Sequence, residues 1–183
     1  MKIFLVNNMR LFTFCGIILT AANSLYAREQ LPKPNFVILL ADDISSDSIG
    51  CYGSKNPHTT PHIDKLAASG IRFENMFVSE AICAPARAEL YNGLMPQRNG
   101  TFRNHQSSNP NIKSIVHYLG DLDYRVGLAG KKHIAPQKVY SFEKIDGICG
   151  KAAEPKPEPD DWSGVQNFIQ RNPKQPFCIV IGS

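Results

Sequence analysis

Residues 35–41 read NFVILLA, and Asp42 and Asp43 follow them directly. A continuous apolar run of this length, rich in branched side chains, is typical of a strand that is covered on both faces in a parallel sheet. Parallel sheets bind their ligands beyond the carboxyl ends of their strands. This stretch therefore predicts an α/β fold and places the first candidate site residues at its ligand edge.

Strand and helix patterns alternate along the rest of the chain. Caps and the spacing of apolar residues predict helices that start at Thr60, near Cys83, at Ile112 and near Val165. Further strands are predicted at residues 71–78, 124–129 and 177–181. This alternation predicts a largely parallel sheet with helices on both faces.

Residues 83–87 read CAPAR and combine a nucleophile with a helix start. Pro85 suits the first turn of a helix and Gly93 suits its end, so Cys83 lies at or just before the N-terminus. Unpaired amides and the helix dipole favour negative charge there. Arg87 lies one turn later on the same face, where its guanidinium can bind two oxygens. A buried cysteine beside a proline turn would give the same short pattern.

Two polar clusters follow predicted strands. Asp42 and Asp43 are adjacent carboxylates, which repel each other unless a cation or hydrogen-bond donors offset the repulsion, and oxygen ligands suit calcium or magnesium. Lys131 and His133 follow the strand at 124–129 and point to the same side, where they can clamp an oxyanion. Two solvated aspartates and a basic surface loop are the alternatives. The position of both clusters at one predicted edge favours a site.

Together these motifs resemble the sulfatases, a family of the alkaline phosphatase superfamily. The double aspartate, the C-x-P-x-R segment and the G-K-x-H segment occur in the order found in that family, and residues 60–67 (TPHIDKLA) resemble its intervening helix. The resemblance covers about residues 34–182. Within the family, residues 97–100 (QRNG) and 130–136 (GKKHIAP) look most like the heparan N-sulfatases, or sulfamidases, which cleave an N-sulfo group from glucosamine.

The resemblance implies a chemistry for each motif. In sulfatases a maturation enzyme oxidises the signature cysteine to formylglycine, whose hydrate attacks sulfur and later expels sulfate. Ala86 stands where many members have serine, while the cysteine, proline and arginine that maturation mainly reads are kept. The implied substrate is a sulfated carbohydrate, cleaved at a sulfuric ester or an N-sulfo group. The implied catalytic residues are Cys83, Arg87, Lys131 and His133. The implied Ca²⁺ ligands are Asp42, Asp43 and residue 83.

The first 27 residues have the pattern of a secretory signal peptide. Lys2 and Arg10 precede or flank an apolar run at residues 11–22, and Ala27 precedes Arg28. We expect cleavage after Ala27 and export to a periplasmic, lysosomal-type or extracellular location. The apolar run is short for a membrane span, so we expect no stable membrane association, with an uncleaved anchor as the alternative.

The charge balance and the cysteine spacing indicate which classes of binding partner to exclude. Removal of residues 1–27 takes two basic residues and no acidic ones from the 20 and 16 of the chain, leaving 18 basic and 16 acidic residues. No basic block remains, which argues against nucleic acid. Cys51, Cys149 and Cys178 show no C-x-x-C spacing, so a zinc knot is not indicated, and one disulfide among them stays possible.

Sulfatases are several hundred residues long. We therefore expect residues 28–183 to be the N-terminal portion of a sulfatase catalytic domain, and this portion to be weak or inactive alone. Two alternatives are a phosphate or phosphonate ester hydrolase of the same superfamily and a noncatalytic remnant that binds sulfated glycans. His105 lies in a loop from which it could reach substrate, although an exposed loop histidine is the commoner interpretation.

Overall fold

In the part of the chain that the structure describes, four strands form one sheet in which every neighbouring pair is parallel. The strands are β1 (Phe36–Leu40), β2 (Arg125–Gly130), β3 (Glu143–Ile145) and β4 (Phe177–Gly182). Their order is β1-β4-β2-β3, so β4 lies between the two strands whose ends carry the candidate site residues. In register, Leu40 of β1 and Gly130 of β2 both lie opposite Gly182 of β4.

This computed structural model describes residues 32–56, 58–148 and 161–182. The predicted signal peptide at residues 1–27 and Cys149 lie outside the described residues. Cys51 and Cys178 are free thiols, and Cys178 is buried in the sheet. No helix in the described ranges is long and apolar enough to cross a membrane.

Within the described residues, five α-helices connect the strands, and two short 3₁₀ turns follow β1 at Ser46–Ser48 and Gly50–Tyr52. The helices are α1 (Pro61–Ser69), α2 (Cys83–Asn92), α3 (Pro96–Asn99), α4 (Ile115–Gly120) and α5 (Ser163–Gln170). Helix α2 ends as its sequence predicts, because Gly93 takes the left-handed conformation with φ of 68° and its amide donates to the Glu89 carbonyl.

Alternate residues of the central strands pack against helices on opposite faces. On one face, Val126 and Val180 belong to an apolar cluster that includes Ala88 and Tyr91 of α2. On the other face, Ile179 joins a second cluster that contains the α5 residues. Burial of each large apolar side chain contributes about 1.5–3 kcal/mol. The predicted parallel α/β sheet with helices on both faces is confirmed.

The prediction was wrong in three places. Residues 71–78 form no strand, and Phe73 and Phe77 are exposed, because no neighbouring strand in the described residues pairs with their backbone. Helix α4 begins at Ile115 rather than Ile112, since Ser114 and His117 form a capping box that fixes its start. Strand β1 was expected to be covered on both faces, whereas Val37 and Leu39 are exposed on one of them.

Candidate functional site

The candidate site lies where three elements meet at the carboxyl edge of the sheet. Asp42 follows β1 by two residues, Lys131 follows β2 directly, and Cys83 is the first residue of α2. The sequence separates these residues by about 40 to 90 positions, yet their side chains make hydrogen-bond contacts with one another. The parallel sheet brings them together because its strands end on the same side.

Two glycines at this edge leave room, one for the side chain of Arg87 and the other for the neighbouring backbone. A Cβ added at Gly182 would lie 3.0 Å from Arg87 Nη1, and one added at Gly130 would lie 1.9 Å from the Gly182 carbonyl oxygen. Gly130 also has φ of 83°, a conformation that other residues rarely adopt. Both positions therefore favour glycine, and a larger residue at either would displace the guanidinium or the backbone beside it.

Asp42 is the centre of a charged network. Arg87 Nη2 donates to its Oδ1 at 3.2 Å, and Lys131 Nζ bonds its Oδ2. Arg87 Nη1 also donates to the Lys131 carbonyl at 2.9 Å, so one guanidinium ties the β1 and β2 ends together. The side chain of Arg87 is only 4% exposed and that of Asp42 16%. These charges have left most of their water and depend on one another.

The network changes the proton affinity of its members. The hydrogen bond from Lys131, opposed by partial burial and reinforced by Arg87, lowers the pKa of Asp42 below its usual value. The same hydrogen bond to Asp42 raises the pKa of Lys131. At neutral pH the site therefore presents a carboxylate and an ammonium, the forms that bind a cation and an anion respectively.

Cys83 lies beside this network and beside Asp43. Its Sγ is 3.9 Å from Asp42 Oδ1 and 3.5 Å from Lys131 Nζ. One ligand atom from each of Asp42, Asp43 and Cys83 lies within 4.8 Å of the other two. Two carboxylates this close fit part of a site for a hard divalent cation, which prefers oxygen ligands. A sulfur at position 83 suits softer metals, whereas an oxygen there would suit calcium.

An open cavity of about 460 Å³ adjoins these residues. Charged side chains form one part of its lining and apolar side chains the other. The lining includes Asp42, Asp43, Cys83 and Arg87 together with Leu40, Ile44, Met76, Val78, Ile82 and Leu90. A few convergent polar groups in an otherwise apolar cleft are characteristic of small-molecule sites.

The ring of His133 contacts His105 and not Asp42. Its Nε2 is 3.0 Å from His105 Nδ1, and the two ring centroids are 4.6 Å apart. Burial, and secondly the neighbouring His105, lower the pKa of His133 below its usual value. Lys131 therefore contacts Asp42 and Cys83. His133 contacts His105 instead, a residue whose sequence context is typical of an exposed loop.

Three neighbours of the site had only weak sequence signals. His105 and Asn104 lie about 20 residues after the start of α2 in sequence, yet the Asn104 side-chain oxygen accepts a hydrogen bond from the Ala84 amide at 3.3 Å. Gly182 follows an apolar run and resembles an ordinary strand end. The space that Gly182 leaves for the Arg87 guanidinium becomes visible only in the structure, where β4 packs between β1 and β2.

Comparisons with known proteins agree with these features. The sulfatase family model matches residues 34–182. An ulvan-active sulfatase of Formosa agariphila is 40% identical over 156 residues, covering 82% of this chain and 30% of that protein. The human N-sulphoglucosamine sulphohydrolase is 38% identical over 114 residues, covering 60% of this chain and 22% of that protein.

Solved structures give the same fold. The crystal structure of the PsFucS1 sulfatase from a Pseudoalteromonas species aligns with a TM-score of 0.61 at 21% identity, covering 92% of this chain and 47% of that one. The chain spans less than a third of the length of the ulvan-active sulfatase and of the human N-sulphoglucosamine sulphohydrolase.

Proposed function

Because this chain belongs to the sulfatase family, we propose that it supplies the nucleophile and the first metal ligands of an enzyme that hydrolyses sulfate groups on carbohydrates. The observation that carries the proposal is the position of Cys83 at the start of α2, in contact distance of Asp42 and Lys131. If a thiol in this position is converted to an aldehyde, the aldehyde lies beside a carboxylate that can bind a cation and an ammonium that can bind an anion.

The substrate class is supported by the relatives. One is named for activity on ulvan and another for N-sulphoglucosamine, and both names are those of carbohydrates. The chain is similar to both at comparable identity over different lengths, so the proposal covers sulfuric esters and N-sulfo groups alike. Sulfated carbohydrate is the substrate class that both relatives have in common.

Asp42, Asp43 and an oxygen at position 83 would hold a Ca²⁺ ion, with other ligands completing the six to eight that calcium prefers. Bound there, calcium would supply positive charge beside the nucleophile. The pair of cations on Asp42 keeps its carboxylate ionised, as a ligand must be. A maturation enzyme that converts Cys83 to formylglycine would provide a hydrated aldehyde whose oxygen is the nucleophile.

The side chains of this chain have distinct roles in the proposed reaction. Arg87 is held by Asp42 and the Lys131 carbonyl, which fixes its guanidinium beside the carboxylate and the end of β2. The Lys131 ammonium, 3.5 Å from Sγ, is placed to stabilise negative charge on the sulfuryl oxygens as the bond to the leaving group breaks. His133 would bind a sulfuryl oxygen or exchange a proton with the leaving group.

The decisive experiment combines mass analysis with turnover. The whole enzyme, expressed with a maturation enzyme, should show a peptide around residue 83 that is lighter by about 18 Da than the thiol form. Sulfate release from N-sulfoglucosamine and from aryl sulfates should disappear in Cys83→Ala. The control is Cys51→Ala, which changes a free thiol outside the cluster and should leave both readouts unchanged.

Three results would overturn the proposal. Detection of only thiol at residue 83 in an active enzyme would exclude the formylglycine mechanism. Faster turnover of aryl phosphate than of aryl sulfate would favour a phosphate or phosphonate ester hydrolase. Binding of sulfated glycans without sulfate release, unchanged by Cys83→Ala, would indicate a noncatalytic protein.

We also propose that the protein is exported, with residues 1–27 removed. The support is the order of basic, apolar and small residues before Arg28. N-terminal sequencing of protein recovered from outside the cytoplasm should begin at Arg28. An intact N-terminus on protein retained in the cytoplasm would contradict this.

A further inference from the structure

The loop between α3 and α4 contacts two separate elements of the site through adjacent residues. The Asn104 Oδ1 accepts the hydrogen bond from the Ala84 amide, in the first turn of α2 and next to Cys83. His105 contacts the ring of His133, which follows β2. Ile82, the N-cap residue of α2, provides no side-chain cap, so Asn104 satisfies an amide that its own helix leaves free.

The backbone conformation of the loop allows Asn104 and His105 to contact different elements. His105 has φ of 61°, a left-handed conformation that costs energy for a residue with a Cβ. The side-chain oxygen of Gln106 accepts hydrogen bonds from the amides of Phe102 and Arg103 at 2.9 and 3.1 Å, which braces the loop internally. A loop held by its own side chain can present His105 in one orientation.

The two imidazoles can share only one proton in their hydrogen bond. One ring must donate N–H and the other must accept, so the pair cannot be doubly protonated without losing the bond. The other nitrogen of His133, Nδ1, is buried and has no hydrogen-bond partner among the described residues. The contact with His105 therefore determines which ring nitrogen of His133 is engaged and which has no partner.

The surrounding charges favour a neutral His133 ring. The groups that act on the His133 ring are His105 from the loop, Lys131 from its own segment, Arg87 from α2 and Asp42 from the end of β1. The cations Lys131 and Arg87 disfavour a further positive charge on the ring, and Asp42 offsets them only in part. A neutral ring with a lone pair on Nδ1 suits an environment in which cations predominate.

We propose that His105 is a positioning residue for His133, accepting a hydrogen bond from its Nε2–H on Nδ1 and so holding the His133 ring in one orientation with Nδ1 unprotonated. The inference rests on the proposed function in that His133 acts on the sulfated group. It adds a residue on a separate loop that sets the tautomer and the orientation of that histidine. Such partners of functional histidines commonly change activity by 10–100-fold.

Histidine NMR tests the inference directly. The whole enzyme is labelled with ¹⁵N-histidine, and the His133 signals are identified by their loss in His133→Gln. We expect a neutral Nε2–H tautomer of His133 at pH 7 in the wild type. In His105→Ala we expect the two neutral tautomers of His133 to mix, since the acceptor that holds the proton on Nε2 is removed.

Kinetics supply the second readout. His105→Ala should lower kcat for sulfate release by about 10-fold with KM within about twofold, because ring orientation rather than substrate binding is lost. His105→Gln keeps an oxygen that can accept from Nε2–H and should recover most of the turnover. The control is His62→Ala, an exposed histidine on α1, which should leave kcat and the His133 signals unchanged.

The outcomes separate this inference from the proposed function. An unchanged tautomer of His133 in His105→Ala would overturn the inference, whatever the activity. Equal loss of turnover in His105→Ala and His105→Gln would overturn it too, since the loop fold rather than the hydrogen bond would then matter. A wild-type enzyme that releases no sulfate would refute the proposed function. The NMR result would still show whether His105 sets the tautomer of His133.

Discussion

Two arginine–carboxylate pairs lie in contrasting surroundings. Arg171 binds Glu143 through both guanidinium nitrogens at 2.7 and 2.6 Å, with side chains 49% and 41% exposed. Arg87 binds Asp42 through one nitrogen at 3.2 Å, yet its side chain is almost fully buried. The exposed pair has the better hydrogen-bond geometry. Geometry of a single pair is therefore a poor guide to which charges form a site.

What distinguishes the Asp42 pair is the number of elements it joins. Its carboxylate, guanidinium and ammonium come from the ends of β1 and β2 and from α2, and a nucleophile lies among them. Removing such charges from water costs free energy that their mutual attraction repays only in part. This cost makes the Asp42 pair a candidate for a functional role, whereas a solvated pair costs little and gives no such indication.

The largest contrast is expected between Arg87→Met and Arg171→Met in the whole enzyme. Arg87→Met leaves Asp42 and Lys131 without their bridge, so turnover should fall by about 1,000-fold. Loss of one partner from a buried pair should also lower the free energy of unfolding by about 3 kcal/mol. Arg171→Met should leave turnover within about twofold.

Sulfate release at saturating substrate and urea unfolding measure the two effects of these arginine variants. An Arg87→Met enzyme with turnover within tenfold of the wild type would remove Arg87 from the proposed machinery. A comparable loss in Arg171→Met would show that both pairs support the site, and the distinction by burial would fail.

A sharper contrast uses adjacent lysines. Lys131 contacts Asp42 and Cys83, whereas Lys132 bonds the side chain of Gln137. Lys131→Gln removes a positive charge beside the nucleophile and should lower turnover by about 100-fold. Lys132→Gln changes the same charge one residue away and should cost about twofold or less. Similar losses in both variants would mean that the general field of the loop matters, rather than the contact.

The contacts of these lysines bear on how much the sequence could predict. The topology of a parallel sheet predicted that Asp42 and Lys131 lie at one edge, and their side chains are in contact there. Period-two spacing predicted that His133 points to the same side as Lys131, whereas its ring contacts His105. The start of α2 at Cys83 followed from Pro85 and Gly93. Fold class and the candidate residues were thus accessible, while their catalytic roles stay predictions.

The remainder depends on tertiary packing. Residues 71–78 have enough apolar character for a strand, but a strand forms only where a partner pairs with its backbone. Strand β3 spans three residues, too few to show a period. The contact between His105 and His133 depends on the path of a braced loop, and the role of Gly182 depends on the side chain of a distant helix.

The smallest expected effect belongs to Glu143→Gln. Arg171 lowers the pKa of Glu143 below its usual 4.5, so the pair stabilises the fold above about pH 4.5 and loses this contribution as the pH falls through the lowered value. Because both side chains are largely solvated, the variant should lower Tm at pH 7 by at most about 2 °C, and 1 M NaCl should abolish most of the difference. Scanning calorimetry at two salt concentrations measures it. A larger shift that persists in salt would mean that this pair is held out of water much as Asp42 is, and exposure would then no longer separate the two.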